Sequence, residues 1–64
     1  MEGQTRLLRL EEVKERVGIG RSQIYKLMQD GRFPRCIKVG GRASAWVAAE
    51  VDDWITKCIE DSRA

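Results

Sequence analysis

The sequence predicts a mostly α-helical domain with one small β-hairpin, and three observations support this fold class. Three segments carry apolar residues at the spacing of an amphipathic helix. A Gly-Ile-Gly turn at residues 18–20 joins the first two segments, and short helices joined in this way are typical of a helix-turn-helix. Two β-forming runs flank Gly40 and Gly41, which indicates a tight hairpin.

Length and composition allow one domain with one small core. The chain has 64 residues, a size at which folding buries only about 60% of the unfolded surface. We expect an ordered core over residues 5–60 and loose tails at 1–4 and 61–64. No apolar run approaches the roughly 20 residues of a membrane helix, and no signal-like segment begins the chain. A cytoplasmic protein is therefore expected.

The reactive residue types argue against catalysis. Cys36 and Cys58 are expected to be reduced and half-buried, because no secretory signal accompanies them. Two cysteines without histidine cannot build a common zinc site, and the usual general base at neutral pH is missing. No nucleophile–base pair can be assembled either. The sequence therefore predicts neither an enzyme nor a cofactor.

The first elements are a brief strand or extended lead-in over residues 6–10 and a helix over residues 11–17. Leu10, Val13 and Val17 form the inward stripe of this helix. Gly18 suits the position just after the helix end, where left-handed backbone is common. Ile19 is then expected to pack between this helix and the next.

The second helix is predicted over residues 21–30. Ile24, Leu27 and Met28 form its apolar stripe, Gly31 is placed to end it, and Pro34 prevents its continuation. The opposite face is short, polar and basic. It carries Ser22, Lys26 and Gln29, with Gln23 and Tyr25 on its flanks and Arg21 in the first turn.

That face suits base edges and phosphates in a major groove, and an ordinary solvated helix face is the alternative. Arg21 favours the first interpretation. A cation in the first helical turn opposes the helix dipole, so its position makes sense if a phosphate lies between Arg21 and the helix N-terminus.

The hairpin is predicted around a two-residue turn at Gly40 and Gly41. This places Ile37 and Trp46 on the core side and Lys38 on the other side. The register stays open, because polar residues would then share the apolar face. The pairs under this register are Val39 with Arg42, Ile37 with Ser44, and Arg35 with Trp46.

The hairpin tip, residues 38–43, carries Lys38 and Arg42 beside Gly40 and Gly41. Two glycines allow close backbone approach, and the cations can contact phosphate or the minor groove. The tip is therefore interpreted as a wing. The alternative is a solubilising hairpin whose charges protect a sheet edge.

The last helix is predicted from residue 47 or 48 to about residue 60. Trp54 and Trp46 are interpreted as core anchors rather than as platforms for base stacking. Carboxylates crowd the early turns, which suits the helix dipole and would repel DNA. This helix is expected to brace the fold from behind, through a stripe of Val47, Val51, Trp54, Ile55 and Cys58.

Charge is divided along the chain. Residues 16–42 contain seven basic residues and one acidic residue, a net charge of +6. Residues 46–64 contain two basic and five acidic residues, a net charge of −3. A basic middle and an acidic end indicate one surface for a polyanion and another turned away from it.

These elements together resemble the AlpA-type prophage regulators, which are small winged-helix relatives of phage excisionases and MerR-type DNA-binding heads. The resemblance covers about residues 8–59. Its most specific parts are R-S-x-I-Y at 21–25, G-x-F-P at 31–34 and W-x-x-x-E-V-D-x-W-I at 46–55. Two departures are Gly20, where the family often has Ser or Thr as the helix N-cap, and Glu11 with Glu12, where it commonly has a proline. A glycine cap costs only a few tenths of a kcal/mol.

The resemblance implies a nucleoid-associated winged helix-turn-helix protein that regulates transcription or acts as an excisionase-like directionality factor. Double-stranded DNA is the implied partner, and a second copy bound head to tail, an integrase or RNA polymerase are candidate protein partners. MerR-type heads dimerise through a long following helix that this sequence lacks, so monomeric or head-to-tail binding is expected. The implied DNA-binding residues are Arg21, Ser22, Gln23, Tyr25, Lys26, Lys38, Gly40, Gly41 and Arg42.

Two hypotheses follow from the sequence. The first is sequence-specific binding of duplex DNA through the helix at 21–30 and the wing at 38–43. The second is a protein-interaction adaptor whose helix-turn-helix surface binds an acidic partner. The salt dependence of binding separates them, because contacts with ~5 phosphates give log K against log[salt] a slope near −4.5.

Overall fold

A computed structural model describes residues 6–63 as three helices and a three-stranded antiparallel sheet. The helix-turn-helix followed by a hairpin is the mostly helical, winged arrangement that the sequence predicts. The predicted tail at residues 1–4 lies outside the described residues. In chain order the elements are β1 Leu7–Leu8, α1 Leu10–Val17, α2 Arg21–Gln29, β2 Ile37–Val39, β3 Ala43–Val47 and α3 Ala48–Arg63.

Helix α1 begins one residue earlier than predicted and ends where its glycine directs. The backbone N–H of Arg9 donates to Oε1 of Glu12 at 3.0 Å, which is one half of a capping box. At the other end Gly18 takes φ 74°, and its N–H donates to the Lys14 carbonyl at 2.8 Å. A left-handed glycine satisfies a carbonyl that the helix would otherwise leave free.

Helix α2 ends in a Schellman motif. Gly31 takes φ 73°, its N–H donates to the Met28 carbonyl at 3.1 Å, and the Arg32 N–H donates to the Leu27 carbonyl at 2.8 Å. Asp30 is the C-cap residue, so the helix stops one residue before the predicted end. Glycines in the sequence therefore mark the C-terminal end of each helix of the helix-turn-helix.

The sheet has strand order β1-β3-β2, so the lead-in strand pairs with the second strand of the hairpin. Leu8 lies opposite Trp46, and Leu7 lies opposite Val47. The Ala48 N–H continues this pairing by donating to the Arg6 carbonyl at 2.8 Å. The predicted strand at residues 6–10 is thus confirmed for Leu7–Leu8, and it joins the hairpin as a third strand.

The predicted hairpin register is wrong by one residue. The pairs are Ile37 with Ala45, Lys38 with Ser44 and Val39 with Ala43. Three residues therefore form the turn, Gly40, Gly41 and Arg42, instead of the two glycines alone. Gly40 and Gly41 take φ 64° and 87°, which explains why the first two of the three turn residues are glycine.

This register reverses the predicted faces of β2. Paired residues share a face and successive residues alternate, so Lys38 lies on the same face as Trp46, and Ile37 lies on the opposite face. We call these the inner face (Leu8, Lys38, Ser44, Trp46) and the outer face (Leu7, Ile37, Val39, Ala43, Ala45, Val47). Leu7, Ile37 and Val39 retain 39%, 43% and 41% of their exposure, so Ile37 is not the core residue that was predicted.

The core lies between the inner face and the helices. Leu8, Val13, Ile24, Trp46 and Val51 have no exposed surface, and Phe33 packs against them. Trp46 is therefore the core anchor that was predicted, and it belongs to a cluster to which β1, α1, α2 and α3 each contribute a buried residue. Ile19 is half-buried against this cluster, as expected for the residue between the two helices.

Helix α3 extends beyond the core. It continues to Arg63, so the predicted loose tail at 61–64 is wrong for residues 61–63. Residues 56–63 are exposed, and this includes Cys58, which was expected to be half-buried. Cys36 is half-buried as expected, and both thiols are free. The apolar stripe of α3 continues along the helix after its packing partners end.

Candidate nucleic-acid interface

Helix α2 presents the polar face that the sequence predicts. Ile24 is fully buried, Leu27 and Met28 on the same side are half-buried, and this fixes the rotation of the helix. The predicted residues on the other side are all exposed except Tyr25, which is half-buried: they are Arg21, Ser22, Gln23, Tyr25 and Lys26. Because Ile24 faces the core, the opposite side of the helix exposes a row of short polar and cationic groups.

The hairpin tip, residues 38–43, presents the second group of predicted DNA-binding residues. Lys38, Gly40, Gly41 and Arg42 are all exposed. An ideal Cβ at Gly40 or Gly41 would meet no atom within 4 Å, so open space surrounds this backbone. The positive φ angles, rather than crowding, are what require glycine here.

An aromatic contact connects α2 to the hairpin. The rings of Tyr25 and Trp46 meet edge to face, with centroids 6.3 Å apart and an interplanar angle of 66°. Trp46 belongs to the inner face of the sheet, and Lys38 projects from that same face. Helix α2 and the Lys38 side chain are therefore on the same side of the sheet.

Ser44 is a residue of this region that sequence reasoning missed. Nζ of Lys38 donates to Oγ of Ser44 at 3.1 Å across the strand pair. Only the observed strand register identifies Ser44, because it places Ser44 directly opposite Lys38. The contact orients a cation that would otherwise be free to rotate.

Two indoles hold the connector between α2 and β2. Nε1 of Trp46 donates to the Pro34 carbonyl at 3.1 Å, and Nε1 of Trp54 donates to the Arg32 carbonyl at 2.7 Å. Phe33, between these two acceptors, packs edge to face on Trp54 with a centroid distance of 4.8 Å. The two tryptophans thus fix the position at which the chain leaves α2 and enters the hairpin. Sequence reasoning identified both as anchors but could not assign their acceptors.

A shallow cleft separates α2 from this connector. Arg35 was counted in the basic middle of the chain but was not predicted as a site residue, and it lines the cleft together with Tyr25. Arg35 therefore adds a basic residue near the C-terminal half of α2. The remaining lining residues are Met28, Gln29 and Cys36.

Helix α3 carries five acidic residues, on an element separate from α2 and the hairpin. Nη1 of Arg16 contacts Oδ1 of Asp52 at 2.9 Å, and this ion pair ties α1 to α3. The pair removes Arg16 from the set of cations that are free to meet a phosphate. Glu50, Asp53 and Glu60 are exposed on α3 and have no ion-pair partner within residues 6–63.

The cations of α2 and the hairpin have no internal counter-charge. Over the described residues, no carboxylate lies within ion-pair distance of Arg21, Lys26, Lys38 or Arg42. Glu12, on α1, by contrast has charged and hydrogen-bonding partners. The Arg9 backbone N–H and the nearby Arg6 hold the pKa of its carboxyl below the ordinary value. The unpaired cations therefore give the α2 and hairpin side a positive potential.

Two absences apply to the part of the chain that the structure describes. No group of three or more potential metal ligands comes together in residues 6–63. No helix among these residues has both the length and the apolar character needed to span a membrane.

Comparison with known proteins gives one family over most of the chain. Residues 6–59 match the family described as "Prophage CP4-57 regulatory protein (AlpA)". The chain belongs to this AlpA family. The match confirms the resemblance drawn from the sequence, and it spans both helix-turn-helix helices, the hairpin and most of α3.

Two relatives of the AlpA-family chain are similar over 81% of its length. Uncharacterized protein ORF88 of Enterobacteria phage P4 is 42% identical over 52 residues, and the chain spans 59% of that relative. The DNA-binding transcriptional activator AlpA of Escherichia coli (strain K12) is 31% identical over 58 residues, with 83% of that relative covered. No solved structure matches the chain.

Proposed function

We propose that this AlpA-family chain is a sequence-specific double-stranded DNA-binding regulator of prophage genes. Helix α2 enters the major groove, and the wing at residues 38–43 contacts phosphates or the minor groove. The protein regulates transcription, acts as an excisionase-like directionality factor, or does both. It binds as a monomer or head to tail on repeated sites, and an integrase or RNA polymerase is its candidate protein partner.

One observation carries the proposal. Arg21, Lys26, Lys38 and Arg42 are exposed and unpaired on α2 and on the hairpin that packs against it through Trp46. Phosphate contacts by Lys and Arg supply most non-specific affinity for DNA, and polar side chains on a groove-inserted helix supply specificity. Ser22 and Gln23 are the exposed polar side chains beside these cations.

The separation of charge supports the same orientation on DNA. The exposed carboxylates of α3 would be repelled by phosphates, so α3 is expected to face away from the duplex. The relative from Escherichia coli is named a DNA-binding transcriptional activator, which agrees with this proposal.

The test combines footprinting with a salt titration. Footprints on the DNA that flanks the gene of this protein and the nearest integrase gene identify a binding site. Affinity for that duplex is then measured by fluorescence anisotropy at several salt concentrations. Contacts with ~5 phosphates predict a slope of log K against log[salt] near −4.5. A slope near zero, or no retention of duplex at low salt, contradicts the proposal and favours the adaptor that binds an acidic partner.

The matched pair Arg42→Ala and Lys57→Ala tests the wing. Arg42 lies in the hairpin turn and Lys57 lies on α3, and each substitution removes one exposed cation. Arg42→Ala is expected to lower affinity about equally for all sequences and to reduce the slope by roughly one, because it removes a phosphate contact. Lys57→Ala should change neither quantity. A change in base preference at constant slope for Arg42→Ala would show that the wing assignment is wrong.

A further inference from the structure

Tyr25 has a different environment from the rest of the polar face of α2. Its neighbours on that face are exposed, whereas Tyr25 is half-buried and packs against the core. The guanidinium carbon of Arg21, one helical turn earlier, lies 5.7 Å from the centroid of the Tyr25 ring. Tyr25 therefore contacts both a core residue, Trp46, and a surface cation.

The ring compensates for an unfavourable position of the Arg21 charge. The positive end of the helix dipole disfavours a cation in the first turn of α2, and the negative face of an aromatic ring attracts one. Gly20 is the N-cap and has no side chain, so no cap side chain accepts a hydrogen bond from the first N–H groups of α2. Arg21 is thus held beside backbone donors that suit a phosphate.

Trp46 keeps the Tyr25 ring in place. Trp46 has no exposed surface, lies opposite Leu8 in the sheet, and its indole is bonded to the Pro34 carbonyl. A ring that packs on such an immobile neighbour has few alternative rotamers. The Arg21 guanidinium consequently contacts a fixed surface rather than a mobile one.

Lys26 provides the internal comparison. It is exposed on the same helix, and within residues 6–63 it makes no side-chain hydrogen bond, ion pair or ring contact. Residues one apart on a helix do not face each other, so its side chain is directed away from Tyr25 although the two are adjacent in sequence. The same helix therefore carries one cation that is pre-oriented, Arg21, and one that is free, Lys26.

We propose that Tyr25 is a positioning residue that holds the Arg21 guanidinium at the N-terminal end of α2, ready to contact a DNA phosphate. Pre-orientation lowers the conformational entropy that a long side chain loses on binding, so it raises affinity without adding a charge contact. This inference rests on the proposed function and assigns Tyr25 a role through Arg21 rather than through its own hydroxyl.

The test is a double-mutant cycle on the footprinted duplex, with Arg21→Ala, Tyr25→Leu and the double variant. Tyr25→Leu should weaken binding roughly two- to fivefold, the range of an exposed cation–π contact, and leave the salt slope unchanged. Arg21→Ala should lower affinity and reduce the slope by about 0.9. The double variant should bind like Arg21→Ala alone, because Tyr25 then has nothing to position.

Two controls separate this role from a structural one. Tyr25→Phe keeps the ring and should retain wild-type affinity. Lys26→Ala combined with Tyr25→Leu should give additive losses, because these side chains are independent. All binding is measured below the unfolding range of each variant, which thermal denaturation establishes.

The outcomes that overturn the inference are distinct from failure of the proposed function. Additive effects of Tyr25→Leu and Arg21→Ala would show that Tyr25 does not act through Arg21. An equal loss for Tyr25→Phe and Tyr25→Leu would assign the effect to a direct contact of the hydroxyl. If wild-type protein retains no duplex, the function fails first and the positioning role fails with it.

Discussion

The two faces of the three-stranded sheet differ in how far the rest of the molecule buries their side chains. On the inner face, Leu8 and Trp46 are completely buried under the helices. On the outer face the small side chain of Ala45 is buried, whereas the large side chains of Leu7, Ile37 and Val39 keep about two-fifths of their exposure although they are equally apolar. Position in the strand, not hydrophobicity, decides which side chains enter the core, because successive residues point to opposite faces. One extra turn residue is enough to exchange the two faces of β2, as Ile37 and Lys38 show.

The largest expected effect is the difference in stability between Trp46→Ala, on the inner face, and Ile37→Ala, on the outer face. A buried Trp→Ala substitution costs about 3–5 kcal/mol, and a domain of 64 residues has a total free energy of unfolding of about 3–10 kcal/mol. Trp46→Ala should therefore remove at least about a third of the free energy of unfolding, and all of it if the wild-type value lies at the low end of that range. Ile37→Ala should cost less than about 1 kcal/mol, since a half-exposed side chain leaves no closed cavity. Urea unfolding followed by circular dichroism measures both. Equal losses would show that the outer face is also part of the core.

A smaller effect is expected from Gly41→Ala, which acts on the turn that sets the faces. Gly41 takes φ 87°, and no atom lies within 4 Å of an ideal Cβ there. The cost is therefore backbone strain alone, about 1–2 kcal/mol for an L-residue in left-handed conformation. D-alanine at position 41 is the matched control, because it has the same atoms and favours positive φ. Urea midpoints of the synthetic proteins should rank glycine and D-alanine above L-alanine, and an equal loss for both alanines would contradict this explanation.

The ends of the first two helices could be predicted from sequence because each depends on a local signal. Gly18 and Gly31 adopt the left-handed conformation after α1 and α2, as glycine does at such ends. The core position of Trp46 was also predictable from its size and apolar surroundings. These features need only nearby residues or general rules of burial.

The hairpin register and the contacts of the site could not be predicted in the same way. Two adjacent glycines are compatible with both a two-residue and a three-residue turn, and nothing in the local sequence selects between them. The position of β3 in the sheet is set by a distant segment, because β3 also pairs with β1. That pairing joins residues nearly 40 positions apart, as Leu8 and Trp46 show. The partners of Lys38 and Trp54 follow from tertiary packing, which has no signature in local sequence. The extension of α3 to Arg63 was missed because no glycine or proline marks its end.

The smallest and most specific test concerns Lys38 and Val39, which are adjacent in β2 and project from opposite faces. If the proposed function is correct, Lys38 lies on the side of the sheet that meets DNA, and Lys38→Ala should reduce the salt slope by about 0.9. Val39 also belongs to the wing, but its side chain projects from the outer face, away from α2. Val39→Lys therefore adds a cation on the side that is not expected to meet phosphates, and it should leave the slope unchanged. Anisotropy titrations at four salt concentrations on the footprinted duplex measure both slopes, and thermal denaturation shows whether each variant is folded. A steeper slope for Val39→Lys would mean that the outer face also approaches phosphates, and the two faces would then differ in burial but not in their relation to DNA.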